Sequence, residues 1–291
     1  MPPLIFRKGL DMKAAVADAL AEDYHSALVD RIKANDYQYV GAEGRLLVHL
    51  AREFGFCYGV DRAVDYAYQA RKRFADRQVF LTGEIIHNPH VNEKLRAAGI
   101  RFLSDPGESV DALTPEDVVI LPAFGVSVGD LQRLVAIGCA LVDTTCGSVL
   151  NVWKNVTRYA QDGFTAVIHG KVHHEETRAT ASQALTYPEG RYLVVLDKTE
   201  AAVVCDYIRH GGDRAAFLAR FGGAASAGFD PDRDLRRVGL ANQTTMLMSE
   251  SLEIGEMFRQ AMADRYGEAA LGTCYRPFHT ICSATHEPQD A

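Results

Sequence analysis

No stretch of this chain is apolar for long enough to span a bilayer, and no run of lysine and arginine interrupts it. The first absence removes the membrane as an expected partner. The second, with a formal net charge of -7, argues against nucleic acid. Cysteine is sparse, six residues scattered through 291, and no two form a CxxC pair. Such spacing is no disulfide framework, so in a reducing compartment these residues are thiols or ligands. HExxH is missing as well. The N-terminus has no apolar signal core, and Asp11, Asp18, Glu22 and Asp23 make it too acidic for a typical transit peptide, so cytoplasm is the expected compartment. What remains is an ordinary globular composition, 47% hydrophobic and 24% charged, with enough chain for about two domains.

Residues 1–44 read as an N-terminal helical extension, from Ala14, Val16, Ala17 and Leu20 and then Ala27, Leu28 and Ile32. A solvent-facing cap or oligomer contact suits it better than a catalytic role. From Arg45, strand-like runs (Leu46–Leu50, Gln78–Thr82, Ile100–Leu103, Val118–Pro122, Ala140–Val142) alternate with helical patterns (Val60–Ala70, Val91–Ala98, Val128–Ile137). The alternation restarts at Phe164–His169, Arg191–Asp197, Glu200–Ile208 and Arg237–Ala241. This is the pattern of βαβ units and parallel sheets covered on both faces. The expected architecture is two α/β lobes, 45–146 and 147–279. Residues 211–235, rich in Gly, Ala, Asp and Arg, form an ordered insertion or long loop in the second.

Three cysteines fall at element boundaries. Val142-Asp143-Thr144-Thr145-Cys146-Gly147 closes a strand and opens a helix, Gly55-Phe56-Cys57-Tyr58-Gly59 repeats the arrangement, and Cys282 lies nine residues before the last residue. A thiol near a helix N-terminus is favoured as thiolate by the helix's partial positive charge. Three such groups from distant segments suggest a metal centre, although spacing alone, without a compact CxxC pair, favours separate thiols over a shared cluster. Cys139 and Cys205, in apolar surroundings, are read as small core residues, and Cys274 is left undecided. Ligands gather beyond the carboxyl ends of parallel strands, where three polar clusters fall: Thr82 to His90, His169 to Thr177, and Asn242 to Met246. Imidazole, carboxylate, amide and hydroxyl groups at strand-to-helix turns suit an anion. His173-His174-Glu175-Glu176 could bind zinc, but Gly170 between His169 and His173 makes a helical ligand pair unsuitable, and an anion and proton-transfer site fits better. The bland reading of His87 and His90 is that they cap the next helix; His25, His49, His210 and His286 are read as structural.

Six segments occur in one order: Gly55-Phe56-Cys57-Tyr58-Gly59-Val60, Glu84-Ile85-Ile86-His87-Asn88, Asp143-Thr144-Thr145-Cys146, His169-Gly170-Lys171 with His174-Glu175-Glu176-Thr177, Asn242-Gln243-Thr244-Thr245, and Thr280-Ile281-Cys282-Ser283-Ala284-Thr285. Together, from about Arg45 to Ala291, they resemble the 4-hydroxy-3-methylbut-2-enyl diphosphate reductase family. Gly228-Phe229-Asp230-Pro231 resembles an insertion of its longer form, found in plants, cyanobacteria and some other bacteria. The resemblance implies repeated three-layer α/β lobes with mostly parallel sheets around a central iron–sulfur site. It implies a [4Fe-4S] cluster held by Cys57, Cys146 and Cys282, with one iron left open to the substrate's 4-hydroxyl. Glu176 matches the family's proton-relay carboxylate and Thr244 the threonine that holds that hydroxyl. His87 and His174 match histidines that bind the diphosphate. Implied partners are the allylic diphosphate substrate and a ferredoxin or flavodoxin-type electron donor; the products are isopentenyl and dimethylallyl diphosphates.

This chain departs from that pattern at Phe124, where many bacterial members carry histidine, at Gly147, where proline is frequent, and at Pro288, where arginine is usual. Residues 280–291 match only the start of a third lobe, so a C-terminally shortened reductase with impaired turnover is expected. The rival readings are a non-catalytic diphosphate- or anion-binding fragment without a cluster, and a zinc hydrolase built on Cys57, Cys146, His174 and Glu176.

Overall fold

Short β-branched runs make the central strands because every side chain on them is covered. Val79–Leu81 (β4) and Val118–Leu121 (β6) are buried at each position, and Ala140–Asp143 (β7) at all but the last. Strands buried on both faces belong to parallel sheets flanked by helices, and the computed structural model, which describes residues 4–41, 44–277 and 282, has two such sheets. The first runs β1-β7-β6-β4-β5, with Ile5–Phe6 as β1 and Arg101–Phe102 as β5, and all of its pairings are parallel. Its helices are α3 (Tyr58–Arg73), α4 (Pro89–Ala97) and α5 (Val128–Ile137). Asn88 caps α4 and Ser127 caps α5, each accepting from a backbone N–H in the first turn. His87 therefore does not serve as that cap.

The second sheet runs β11-β10-β8-β9: Thr165–His169 (β8), Arg191–Val195 (β9), Val238–Asn242 (β10) and Tyr275–Arg276 (β11), again parallel throughout. Around it lie α6 (Gly147–Gln161), α7 (Glu175–Ala184), α8 (Lys198–His210) and α11 (Met248–Tyr266). No helix among the described residues is long and apolar enough to cross a membrane. The two sheets meet through α5, α6 and α7, where the Val128 amide donates to Ser182 Oγ at 3.0 Å.

Two expectations change, and a third is decided between its alternatives. The Leu46–Leu50 run joins neither sheet: Leu47–His49 (β3) pairs antiparallel with Gln38–Val40 (β2) in a separate two-stranded ribbon, and β3 is exposed along its length. A short apolar run does not reveal whether it is buried, and that is where the periodicity misleads. The N-terminal segment does contain α1 (Lys13–Tyr24) and α2 (Ala27–Ala34), but it also supplies β1, and Leu10 and Val16 enter the core against Ala63, Ala67 and Tyr68. A two-residue strand carries no periodicity to read. Of the two readings of 211–235, the ordered one holds: it forms α9 (Arg214–Phe221) and α10 (Pro231–Asp234), and Phe217, Phe221 and Phe229 are buried in the second core. His286 and Pro288 lie outside the described residues.

Candidate active site

Helices α3 and α6 each begin at a cysteine. Cys57 and Cys146 occupy the N-cap positions with extended backbone, and neither sulfur bonds to its own helix. The turn before Cys146 is pinned on several sides. Its amide bonds to the Ala123 carbonyl (3.0 Å), Thr144 Oγ1 donates to the Leu121 carbonyl (2.6 Å), and Arg62 donates to the Thr145 carbonyl (3.0 Å). Gly59, in the first turn of α3, brings the two sulfurs to one place: a Cβ there would lie 2.5 Å from Cys146 Sγ and 3.9 Å from Cys57 Sγ. Cys282 arrives from far along the chain, its Sγ accepting from Ser148 Oγ at 3.4 Å, two residues beyond Cys146. Half-buried Cys57 and Cys146 stand at two helix N-termini, close enough that Gly59 between them admits no side chain, and Cys282 is bonded to Ser148. These are thiol donors of the type an iron–sulfur centre takes, although among the described residues they are not drawn together as a closed metal site. Gly59→Ala is expected to displace the Cys146 sulfur and lower iron bound per chain after anaerobic reconstitution, with the circular-dichroism spectrum unchanged.

The remaining cysteines behave differently. Cys139, Cys205 and Cys274 are buried, and burial raises each thiol's pKa, that of Cys205 to about 12. They are core residues, which settles Cys274.

Past the end of β8, α7 opens at His174, whose Nδ1 accepts the Glu176 N–H at 3.1 Å. Glu176 is 0% exposed. Its carboxyl accepts the Thr244 amide on Oε1 (2.6 Å) and the Thr244 hydroxyl on Oε2 (2.9 Å). Burial lifts its pKa to about 7, outweighing the two Thr244 hydrogen bonds, which pull it down. A carboxyl poised there can hold a proton near neutrality and give it up. Thr244 is held past the end of β10 beside Gln243, whose Oε1 accepts from the Lys171 amide and from Thr177 Oγ1, each at 3.1 Å. Thr244→Val removes one of the two bonds that favour the carboxylate, so Glu176 should titrate at higher pH, read by the carboxyl C=O stretch in infrared titration.

The third group adjoins the second through His174. His87, beyond β4, meets His174 Nε2 to Nε2 at 3.1 Å and carries Glu84 on its other nitrogen at 2.8 Å. Phe124 stacks on His87 with centroids 4.4 Å apart and meets His174 edge-on at 5.4 Å. Burial, with the neighbouring His87, pushes the His174 pKa down to about 4. These engagements leave His174 and Glu176 turned toward His87 and Thr244, and a zinc site shared with Cys57 and Cys146 finds no support. His169, placed in the same polar cluster from sequence, is instead buried against Ser251 Oγ at 2.8 Å. His90 packs on Tyr24, and His25 and His210 face Asp30 and Asp206. Sequence reasoning singled out neither Gly59 nor Glu84. The i, i+3 spacing of Glu84 and His87 was the available signal for the second.

Two parallel α/β lobes that bring a buried carboxyl and paired imidazoles to the ends of their strands, with thiols at two helix N-termini, have the layout of an enzyme. The chain belongs to the LytB protein family, whose model matches residues 48–291. The 4-hydroxy-3-methylbut-2-enyl diphosphate reductase of Gloeobacter violaceus is 53% identical, over 98% of this chain and 68% of that protein. The enzyme of that name from Thermosynechococcus vestitus is 49% identical, over 98% of this chain and 70% of its own length. Among solved structures, (E)-4-hydroxy-3-methyl-but-2-enyl diphosphate reductase, the terminal enzyme of the non-mevalonate pathway, shares the fold with a TM-score of 0.58 at 24% identity, over 80% of this chain and 67% of that one. The Plasmodium falciparum E-1-hydroxy-2-methyl-but-2-enyl-4-diphosphate reductase shares it with a TM-score of 0.57 at 20% identity, over 80% of this chain and 60% of that one.

Proposed function

We propose that this chain is an oxidoreductase of that kind, removing the 4-hydroxyl of (E)-4-hydroxy-3-methylbut-2-enyl diphosphate to give isopentenyl and dimethylallyl diphosphates. The observation that carries the reading is the fully buried Glu176 carboxyl, its pKa lifted by that burial, bonded to Thr244 on the same helix turn as an imidazole facing His87. Cys57, Cys146 and Cys282 would hold a [4Fe-4S] cluster, which when bound supplies electrons and a Lewis-acidic iron. Glu176 gives its proton to the departing oxygen, Thr244 orients that oxygen and returns the carboxyl to its resting hydrogen bonds, and His87 and His174 receive the diphosphate. A ferredoxin- or flavodoxin-type protein in the cytoplasm is the proposed donor. The test is product formation from the allylic diphosphate by the anaerobically reconstituted chain with a chemical reductant. Iron-loaded protein that binds the substrate and forms neither product would refute the reading.

A further inference from the structure

The imidazole pair holds its hydrogens in an order that conflicts with receiving an anion. His174 Nδ1 accepts the Glu176 amide, so the ring's proton is on Nε2. That N–H points at His87 Nε2, which must accept it, and the proton of His87 is therefore on Nδ1, donated to Glu84 Oε2. The tautomers follow from the partners. A cationic His87 is incompatible with the closed pair, because its second N–H would face a His174 left with no proton at all. Both rings are neutral while they touch, and their one available N–H is spent on each other.

A phosphate oxygen that takes the His174 N–H leaves His87 Nε2 as a bare lone pair, which repels it. One proton added there makes that nitrogen a donor and the ring a cation, with Glu84 already on the opposite nitrogen. We propose that binding of a diphosphate group draws one proton from solvent onto Nε2 of His87, and that Glu84 is the positioning residue that holds the ring and balances its charge. This rests on reading His87 and His174 as diphosphate ligands.

The surroundings decide which ring takes the proton. Glu84 on its own loop and Glu175 and Glu176 at the start of α7 favour a cation at His87; Lys171 disfavours one at His174, Arg178 faces Glu175, and Arg96 on α4 faces Glu84. Phe124 stacks its face on the His87 ring, an arrangement that favours the cationic form. Burial holds His174 neutral, so His87 is the acceptor.

Calorimetric titration of the reconstituted chain with methyl diphosphate, at pH 8 in two buffers of different ionisation enthalpy, measures the proton directly. The ligand's terminal phosphate loses its last proton near pH 6, roughly as a phosphorylated side chain does, and so contributes little. About one proton should be taken up per ligand bound. Glu84→Gln should reduce that uptake, and its affinity deficit should reach about tenfold where the bound wild-type ring carries the added proton and shrink at higher pH, where it no longer does. Wild-type binding without proton uptake overturns the proposal, as does a Glu84→Gln variant that takes up as much proton at pH 8 as wild type, the mark of a merely structural role. Absence of binding by the wild-type chain refutes the diphosphate reading itself and this proposal with it.

Discussion

Glu176→Gln should abolish most turnover while leaving iron content, fold and substrate affinity close to wild type. Positioned general acids contribute about 10²–10⁴-fold, and glutamine has no proton to give. The fold should tolerate the change because the amide is isosteric and keeps both contacts. Its oxygen accepts the Thr244 amide and its NH₂ donates to Thr244 Oγ1, in place of the bonds at 2.6 and 2.9 Å. Stability offers a separate check with a definite sign. Burial raises Glu176 from 4.5 in the unfolded chain to about 7 in the folded one, so across that interval the folded state binds more protons and wild-type stability falls as pH rises. Glutamine does not titrate. Denaturant unfolding of wild type and Glu176→Gln should therefore coincide near pH 4 and diverge above neutrality, with the variant more stable by roughly 1–3 kcal/mol at pH 8. Equal stability at both pH values would mean that the carboxyl stays ionised in the folded chain, and its role as proton donor would fall with it.

That carboxyl also marks how far the sequence could be read. The core strands were legible because full burial on both faces demands β-branched residues without polar interruption, as in Val118-Val119-Ile120-Leu121. The same rule misassigned Leu47-Val48-His49, since a run of apolar side chains says nothing about whether another layer covers it. Polar residues after Leu81, Ile168 and Ala241 marked the strand ends at which His87, His174, Glu176 and Thr244 come together. Which carboxylate is buried was not in the local pattern. Glu175 and Glu176 are neighbours, yet a helix turn sends Glu176 inward to Thr244, a partner 68 positions away. The thiol site was half legible. Cys57 and Cys146 stood out as helix-opening residues, but their approach through Gly59 depends on the packing of two helices that start 89 positions apart, as no sequence window reveals.

Cys146→Ser should do the reverse of Glu176→Gln: iron falls to background, and the iron-free chain becomes slightly more stable. A serine hydroxyl stays protonated near neutrality and is a poor substitute for a thiolate, so a centre that needs this ligand does not assemble. The helix gains, however. Cys146 occupies the N-cap of α6 without a side-chain bond to its first turn, and serine is among the preferred residues at that position, worth about 1 kcal/mol over a non-capping side chain. Cys57→Ser should behave alike, since the N-cap of α3 is also without a side-chain bond. Cys205→Ser supplies the contrast. Its thiol is 1% exposed within an apolar core, where a hydroxyl without a partner costs about 1–3 kcal/mol, and iron content should not change. Iron and acid-labile sulfide per chain, measured beside unfolding midpoints of the metal-free proteins, separate the two classes of cysteine. If Cys146→Ser retained its iron, the helix-opening thiols would be structural and the cluster would have to rest on other ligands. If Cys205→Ser lost iron without losing stability, the division between core and ligand cysteines would be wrong.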